Sequence, residues 1–231
     1  MNWRVIQDEA YHRFADDRTF LGIANAADTL SGAAFLVVGL LGLIFLWRER
    51  SGGGSRRFVI PEEMRFYWIL FGAVALTAFG SGYYHVAPDD ARLVWDRLPM
   101  SFGFTALLAA AVAERIRVML GLRLLLPLLL CGVGSVAYWR WTGNLLPYAV
   151  VQYGSIAIML AVVILFRSRY SHGAYIFGVL ALYAAAKAAE ALDARIYALG
   201  GIVSGHTLKH LLAAASVWWL LRMLQLRVPR R

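Results

Sequence analysis

Runs of about twenty apolar residues recur along the chain, and a helix of that length crosses roughly 30 Å of hydrocarbon. They fall at 29–47, 66–87, 93–113, 120–139, 146–166, 173–192 and 204–224 of 231 residues. Backbone groups in lipid must be paired within each segment, and no alternating ten-residue strand pattern competes. The expected fold is all-α, a seven-transmembrane helix bundle. With 60% hydrophobic and only 16% charged residues, the composition excludes a disordered or ordinary cytosolic chain. The sequence divides into an extramembrane tail at 1–28, a membrane domain at 29–226 and a basic tail at 227–231. The tail lacks the apolar stretch and cleavage site of a secretory signal, so the first span is expected to direct insertion.

The net charge of +9 invites a nucleic-acid reading, but the arginines are scattered in short clusters between apolar runs, a pattern that reports topology. Arg4, Arg13, Arg18, Arg92, Arg140 and Arg195 share one face; fourteen other arginines, Arg48 and Arg167 among them, share the opposite one. Cytoplasmic connections carry the basic excess. The N-terminus is expected outside and the C-terminus in the cytoplasm, in the plasma (inner) membrane if the cell is bacterial. The expected partners are the bilayer and a lipid within it, with no nucleic acid. Nothing in the sequence fixes an oligomeric state. The single cysteine, Cys131, excludes an intramolecular disulfide and a cysteine metal cluster. SGGGSRRF at 51–58 lacks the Gly-Lys-Ser/Thr of a phosphate loop and is expected to be a linker. Gly201 and Gly205 match a small-xxx-small packing pattern.

An ionisable side chain at the centre of a membrane helix costs about 2.5–3.5 kcal/mol on insertion scales, so each one present calls for a function. His85 ends the second span, Asp96 begins the third, and His206 and His210 begin the seventh. An antiparallel bundle puts all four in one leaflet, the outer one under the expected orientation. His206 and His210 are four apart and stack on one helical face. With His85 they supply three nitrogens and leave a fourth position open to water, the layout of a catalytic zinc site. Asp96, close but not a ligand, is suited to take and return a proton, and Ser81 shares the helical face of His85. These residues read as a metal-dependent hydrolase with its active site toward the outer face. His12 is expected to be a solvated tail histidine, and His172 lies on the opposite face. Lys187 and Glu190 are spaced for an intrahelical pair. Arg97 is expected to balance Glu190 or reach lipid headgroups. Tyr83, Tyr84, Trp95, Tyr138, Trp139 and Trp141 fit an interfacial aromatic belt.

These motifs together resemble the alkaline ceramidase family, within the seven-transmembrane amidase superfamily that also includes the progestin and adiponectin receptors. The resemblance rests on ADTLSGAAFLVVGL, SGYYH, the Asp of WDRLPM eleven residues after that His, and SGHTLKHL. It implies zinc on His85, His206 and His210, with Ser81 and Asp96 assisting the water. The implied reaction is hydrolysis of the amide of ceramide or a related N-acyl lipid, releasing a fatty acid and a sphingoid base or amine. An outside N-terminus agrees with the ceramidases; the receptors are reversed. The resemblance further implies a calcium site in the tail, where Asp16, Asp17, Asn25 and Asp28 supply oxygens, though the Trp of that pattern has no counterpart here. Asp28 followed by Thr29 also reads as the cap of the first helix. Two other classes fit parts of the pattern: a receptor or scaffold with a structural zinc, and a retinal protein using Lys209 with Asp96 as counter-ion. Haem ligation by His206 or His210 lacks an attachment motif.

Overall fold

The computed structural model describes residues 4–52 and 57–230. Half of the 51–58 linker, residues 53–56 with Arg56 among them, and Arg231 of the C-terminal tail therefore lie outside the described residues. The chain is all-helical, with isolated bridges in place of strands among the described residues. We number the long helices α1 (Ala26–Ser51), α2 (Pro61–Val86), α3 (Asp90–Arg115), α4 (Val118–Thr142), α5 (Leu146–Leu165), α6 (Tyr175–Ala191) and α7 (Gly205–Leu226). Each coincides with one of the apolar segments read from the sequence.

Four of them, α1, α2, α4 and α5, are long and apolar enough to cross a membrane. The other three are those that carry Asp96 and Arg97, Lys187 and Glu190, and the His206–Lys209–His210 group. The polar residues that interrupt apolarity are the ones the fold gathers inside. Leu41, Ile44, Leu76, Phe79, Leu126, Leu130, Ile158 and Ile164 instead point outward. A surface of that kind is stable against an apolar solvent, consistent with a membrane protein.

Neighbouring helices pack in sequence order from α1 to α4, α3 also meets α5, and α7 lies between α6 and α1. The largest apolar cluster, including Phe66, Phe71, Leu220 and Leu224, fills the half of the bundle away from the sequence-predicted site. At the other end Gly80 lets α2 approach α3, because a Cβ there would overlap the Trp95 carbonyl. Gly205 does the same for α7 against Ala189 of α6, whereas Gly201 lies in open space, so only one member of that pair is a packing glycine. Pro99 and Pro127 sit inside α3 and α4, and Pro147 in the first turn of α5.

Some boundaries differ from the sequence reading. α1 begins at Ala26 with Asn25, not Asp28, at its N-cap, because Asp28 is used elsewhere. Arg227 does not belong to a solvated tail. It is 1% exposed, lying against Tyr170 at 4.1 Å and Phe58 at 4.5 Å, with Nη1 donating to Glu114 Oε2 at 3.2 Å. Aromatic faces and a carboxylate offset its desolvation.

Candidate metal centre

Three imidazoles meet at the end of the bundle opposite the largest apolar cluster. The ring centroids of His85, His206 and His210 form a nearly equilateral triangle with sides of 4.8, 5.0 and 4.9 Å. One ligand nitrogen from each lies within 4.8 Å of the others, and all three residues are buried. Among the described residues this is the one group of three or more His, Cys, Asp or Glu so placed. His85 Nε2 and His206 Nε2 stand 3.3 Å apart. Two nitrogens each about 2.0–2.1 Å from a tetrahedral zinc are separated by about 3.3–3.4 Å. The pair therefore fits a shared ion better than a hydrogen bond, for which 3.3 Å is long.

His210 is oriented from behind. Its Nδ1 lies 2.7 Å from Ser31 Oγ and 3.1 Å from the Asp28 carbonyl, while Ser31 Oγ itself donates to that carbonyl at 2.8 Å. The roles are consistent when Nδ1 carries the proton, which leaves Nε2 bare for a metal. Asp28 also holds the start of α7: the hydroxyls of Ser204 and Thr207 donate to its Oδ1 at 3.0 and 2.6 Å. Ser204 in turn caps α7 by accepting from the Thr207 amide. Asp193 accepts from the His206 amide at 2.7 Å.

The calcium quartet is not brought together. Asp16 forms a two-point pair with Arg18, both bonds 2.7 Å. Asn25 Nδ2 donates to the His85 carbonyl at 2.7 Å, Asp28 faces α7, and Asp17 is exposed. The motif opening the first span thus serves as scaffold for the histidine centre. His12 is half-buried between Tyr84 and Asp90, outside the triangle. Arg97 pairs with neither Glu190 nor solvent. It is 5% exposed and lies over Trp139 at 4.2 Å and Tyr148 at 5.0 Å. Tyr84 and Trp139 consequently leave the aromatic belt for the interior, while Tyr83, Trp95, Tyr138 and Trp141 stay exposed.

Beside the triangle opens a cavity of about 290 Å³. Its polar end is lined by Ser81, Asp96, Arg97, Lys209 and His210, its far end by Leu107, Met159, Val179 and Leu220. From Asp96 to Leu107 along α3 is roughly 16 Å at the helical rise. Ser81 Oγ is buried, makes no close hydrogen bond and faces the Asp96 carboxylate. Glu190 accepts from Lys209 at 3.0 Å and pairs with Lys187. Lys209 therefore bonds Glu190 directly, while Asp96 faces Lys209, Arg97 and Ser81 without a direct ion pair.

Sequence reasoning missed what lies over the site. Phe14 of the tail stacks edgewise on both His85 and His206, at 4.7 Å from each, and the Ala15 amide donates to Asp193 at 3.0 Å. Nothing in the spacing of an extramembrane tail signals such a return. No family model matches this sequence, and no curated protein matches it.

Proposed function

We propose that the chain is an integral membrane, zinc-dependent amide hydrolase acting on ceramide or a related N-acyl lipid, with seven spans, an outside N-terminus and a cytoplasmic C-terminus. The observation that carries this reading is the 3.3 Å approach of His85 and His206 Nε2 within a closed triangle of imidazoles, at the head of a long apolar cavity lined also by the Asp96 carboxylate and the Ser81 hydroxyl. His85, His206 and His210 would hold the ion. Bound zinc supplies an activated water near neutral pH and polarises an acyl carbonyl.

The protein's own groups do the rest. Asp96 takes the proton of the attacking water and returns it to the departing amine, a role worth about 10²–10⁴ in rate. The Ser81 hydroxyl donates to the carbonyl oxygen as negative charge develops there. The acyl chain lies along the cavity toward Leu220, each buried methylene contributing about 0.8 kcal/mol. Phe14 and the tail exclude bulk water from the imidazoles.

Elemental analysis joined to a fatty-acid release assay on N-acyl lipids tests the proposal. His210→Ala is expected to lose most bound zinc and nearly all activity. Asp96→Asn is expected to keep zinc and lose turnover by at least a hundredfold. Equal zinc content in wild type and His210→Ala contradicts the ligand assignment, and zinc-loaded protein that releases no fatty acid contradicts the hydrolase.

A further inference from the structure

Arg97 is a cation that the fold buries beside Asp96 without a direct ion pair. Among the described residues no carboxylate oxygen lies within 4.0 Å of it; its Nη2 donates to Gln7 Oε1, and its Nη1 is buried with no partner. Trp139, Tyr148 and Tyr11 enclose the guanidinium at 4.2, 5.0 and 5.6 Å. These rings fix its plane but accept no N–H bond in the manner of an oxyanion. The nearby lysines are differently placed, since Lys187 and Lys209 both bond Glu190. Around the cavity wall Arg97, Lys187 and Lys209 face Asp96 and Glu190, three cations against two carboxylates, so the lining keeps a net positive charge that an acidic guest would balance. A buried guanidinium with an unused donor in a low-dielectric wall is a site awaiting an acceptor, and Arg favours planar or tetrahedral oxyanions.

The position of Arg97 says which part of a guest it meets. It follows Asp96 in the chain and lines the polar end of the cavity with Gln7 and Tyr11 of the tail, opposite Leu107, Met159 and Leu220. An acyl chain at the apolar end leaves the amine half of an N-acyl lipid at Arg97.

We propose that Arg97 is the anchor of an anion subsite, and that the lipid taken by this cavity carries an acidic oxygen on its amine side, as carboxylate or phosphate. The inference rests on the cavity reading above and concerns specificity, not the chemical step. Ceramide, whose amine half bears neutral hydroxyls, is then a poorer guest than an N-acyl amino acid or an N-acyl phosphoethanolamine.

Binding by ethers that an amidase cannot cleave separates this from catalysis. The full chain in detergent micelles is titrated calorimetrically with dodecyloxyacetate, 2-dodecyloxyethyl phosphate and the neutral 2-dodecyloxyethanol. At least one anion is expected to bind ten or more times tighter than the alcohol, and whichever wins identifies carboxylate or phosphate as the native group. Arg97→Gln is expected to erase the preference while leaving the alcohol's affinity within twofold, and Arg97→Lys to retain part of it. Equal affinity of wild type for all three probes overturns the proposal even if no variant folds. So does an anion preference that survives in Arg97→Gln, since the anion is then held by another group such as a bound metal. Anion selectivity without fatty-acid release sinks the hydrolase and leaves the subsite standing; turnover without selectivity does the reverse.

Discussion

His210 reaches the triangle by leaning on α1, with Ser31 Oγ at 2.7 Å and the Asp28 carbonyl at 3.1 Å. Groups behind a metal-binding imidazole fix its tautomer and aim, and losing one typically costs 10–100-fold in metal affinity. Ser31→Ala is expected to weaken zinc binding about tenfold while the protein stays folded, because the Asp28 carbonyl still holds the ring. A competitive chelator titration measures it, and unchanged affinity removes Ser31 from the support. The three histidines and Asp96 are legible in the sequence because ionisable groups are rare and costly inside apolar spans, and Ser81 because it lies one turn before His85 on the same helical face. Ser31 and Phe14 are not. A small hydroxyl and an aromatic ring carry no cost in either setting, so their place along the chain says nothing about the neighbours they find. Arg97 is legible as a charge within a span, but its setting is not, since a stretch of sequence does not reveal that Trp139 and Tyr148 arrive from two other helices to receive it.

At the scale of helices, the crossing of α2 and α3 decides whether Ser81 and His85 can face Asp96. Gly80 and Gly82 flank Ser81, yet only Gly80 is pressed against α3: a Cβ there meets the Trp95 backbone, whereas one at Gly82 has nothing within 4 Å. Backbone atoms cannot yield as a side-chain tip can, and overpacking costs about 1–3 kcal/mol. Gly80→Ala is expected to lower the thermal midpoint by several degrees and to reduce zinc retention. Gly82→Ala is expected to leave both unchanged or slightly raised, since alanine favours the helix. A thermal melt with zinc analysis of the two variants makes the comparison; equal effects remove the crossing from the argument. All the long helices were readable as apolar runs, with ends displaced by a few residues. The π turn within α5 was not readable. After Pro147 the helix widens into a π turn at Val150–Gly154, and Gln152 there donates to Tyr183 at 2.7 Å across the cavity wall. An inserted residue in a helical ladder leaves no periodic trace in a segment this uniformly apolar.

For the molecule as a whole, the tail decides whether the site is closed. Apolar periodicity ends at the membrane boundary, so the sequence showed residues 1–28 only as something outside the bundle. The fold instead straps the tail over the imidazoles and ties it to the connection before α7. Arg18 is the fastener: it binds both oxygens of Asp16, donates to the Ile202 carbonyl at 2.9 Å and lies over Tyr197 at 5.5 Å. The Arg18 hydrogen bonds hold the Asp16 carboxyl below its usual value of 3.8. A carboxyl whose value falls on docking contributes its stabilisation above the free value, and that contribution disappears as the pH drops through the docked one. The strap is therefore expected to be fully fastened at neutral pH and to loosen only below pH 3.8. Limited proteolysis across a descending pH series, with an acid-tolerant protease and detection of cuts between residues 4 and 24, follows the release. Asp16→Asn leaves Arg18 with a neutral partner, so its tail is expected to be more readily cut at pH 7 and to show no further step on acidification through that window. The same acid step in Asp16→Asn as in wild type assigns the release to another group and removes this pair as the fastener of the site.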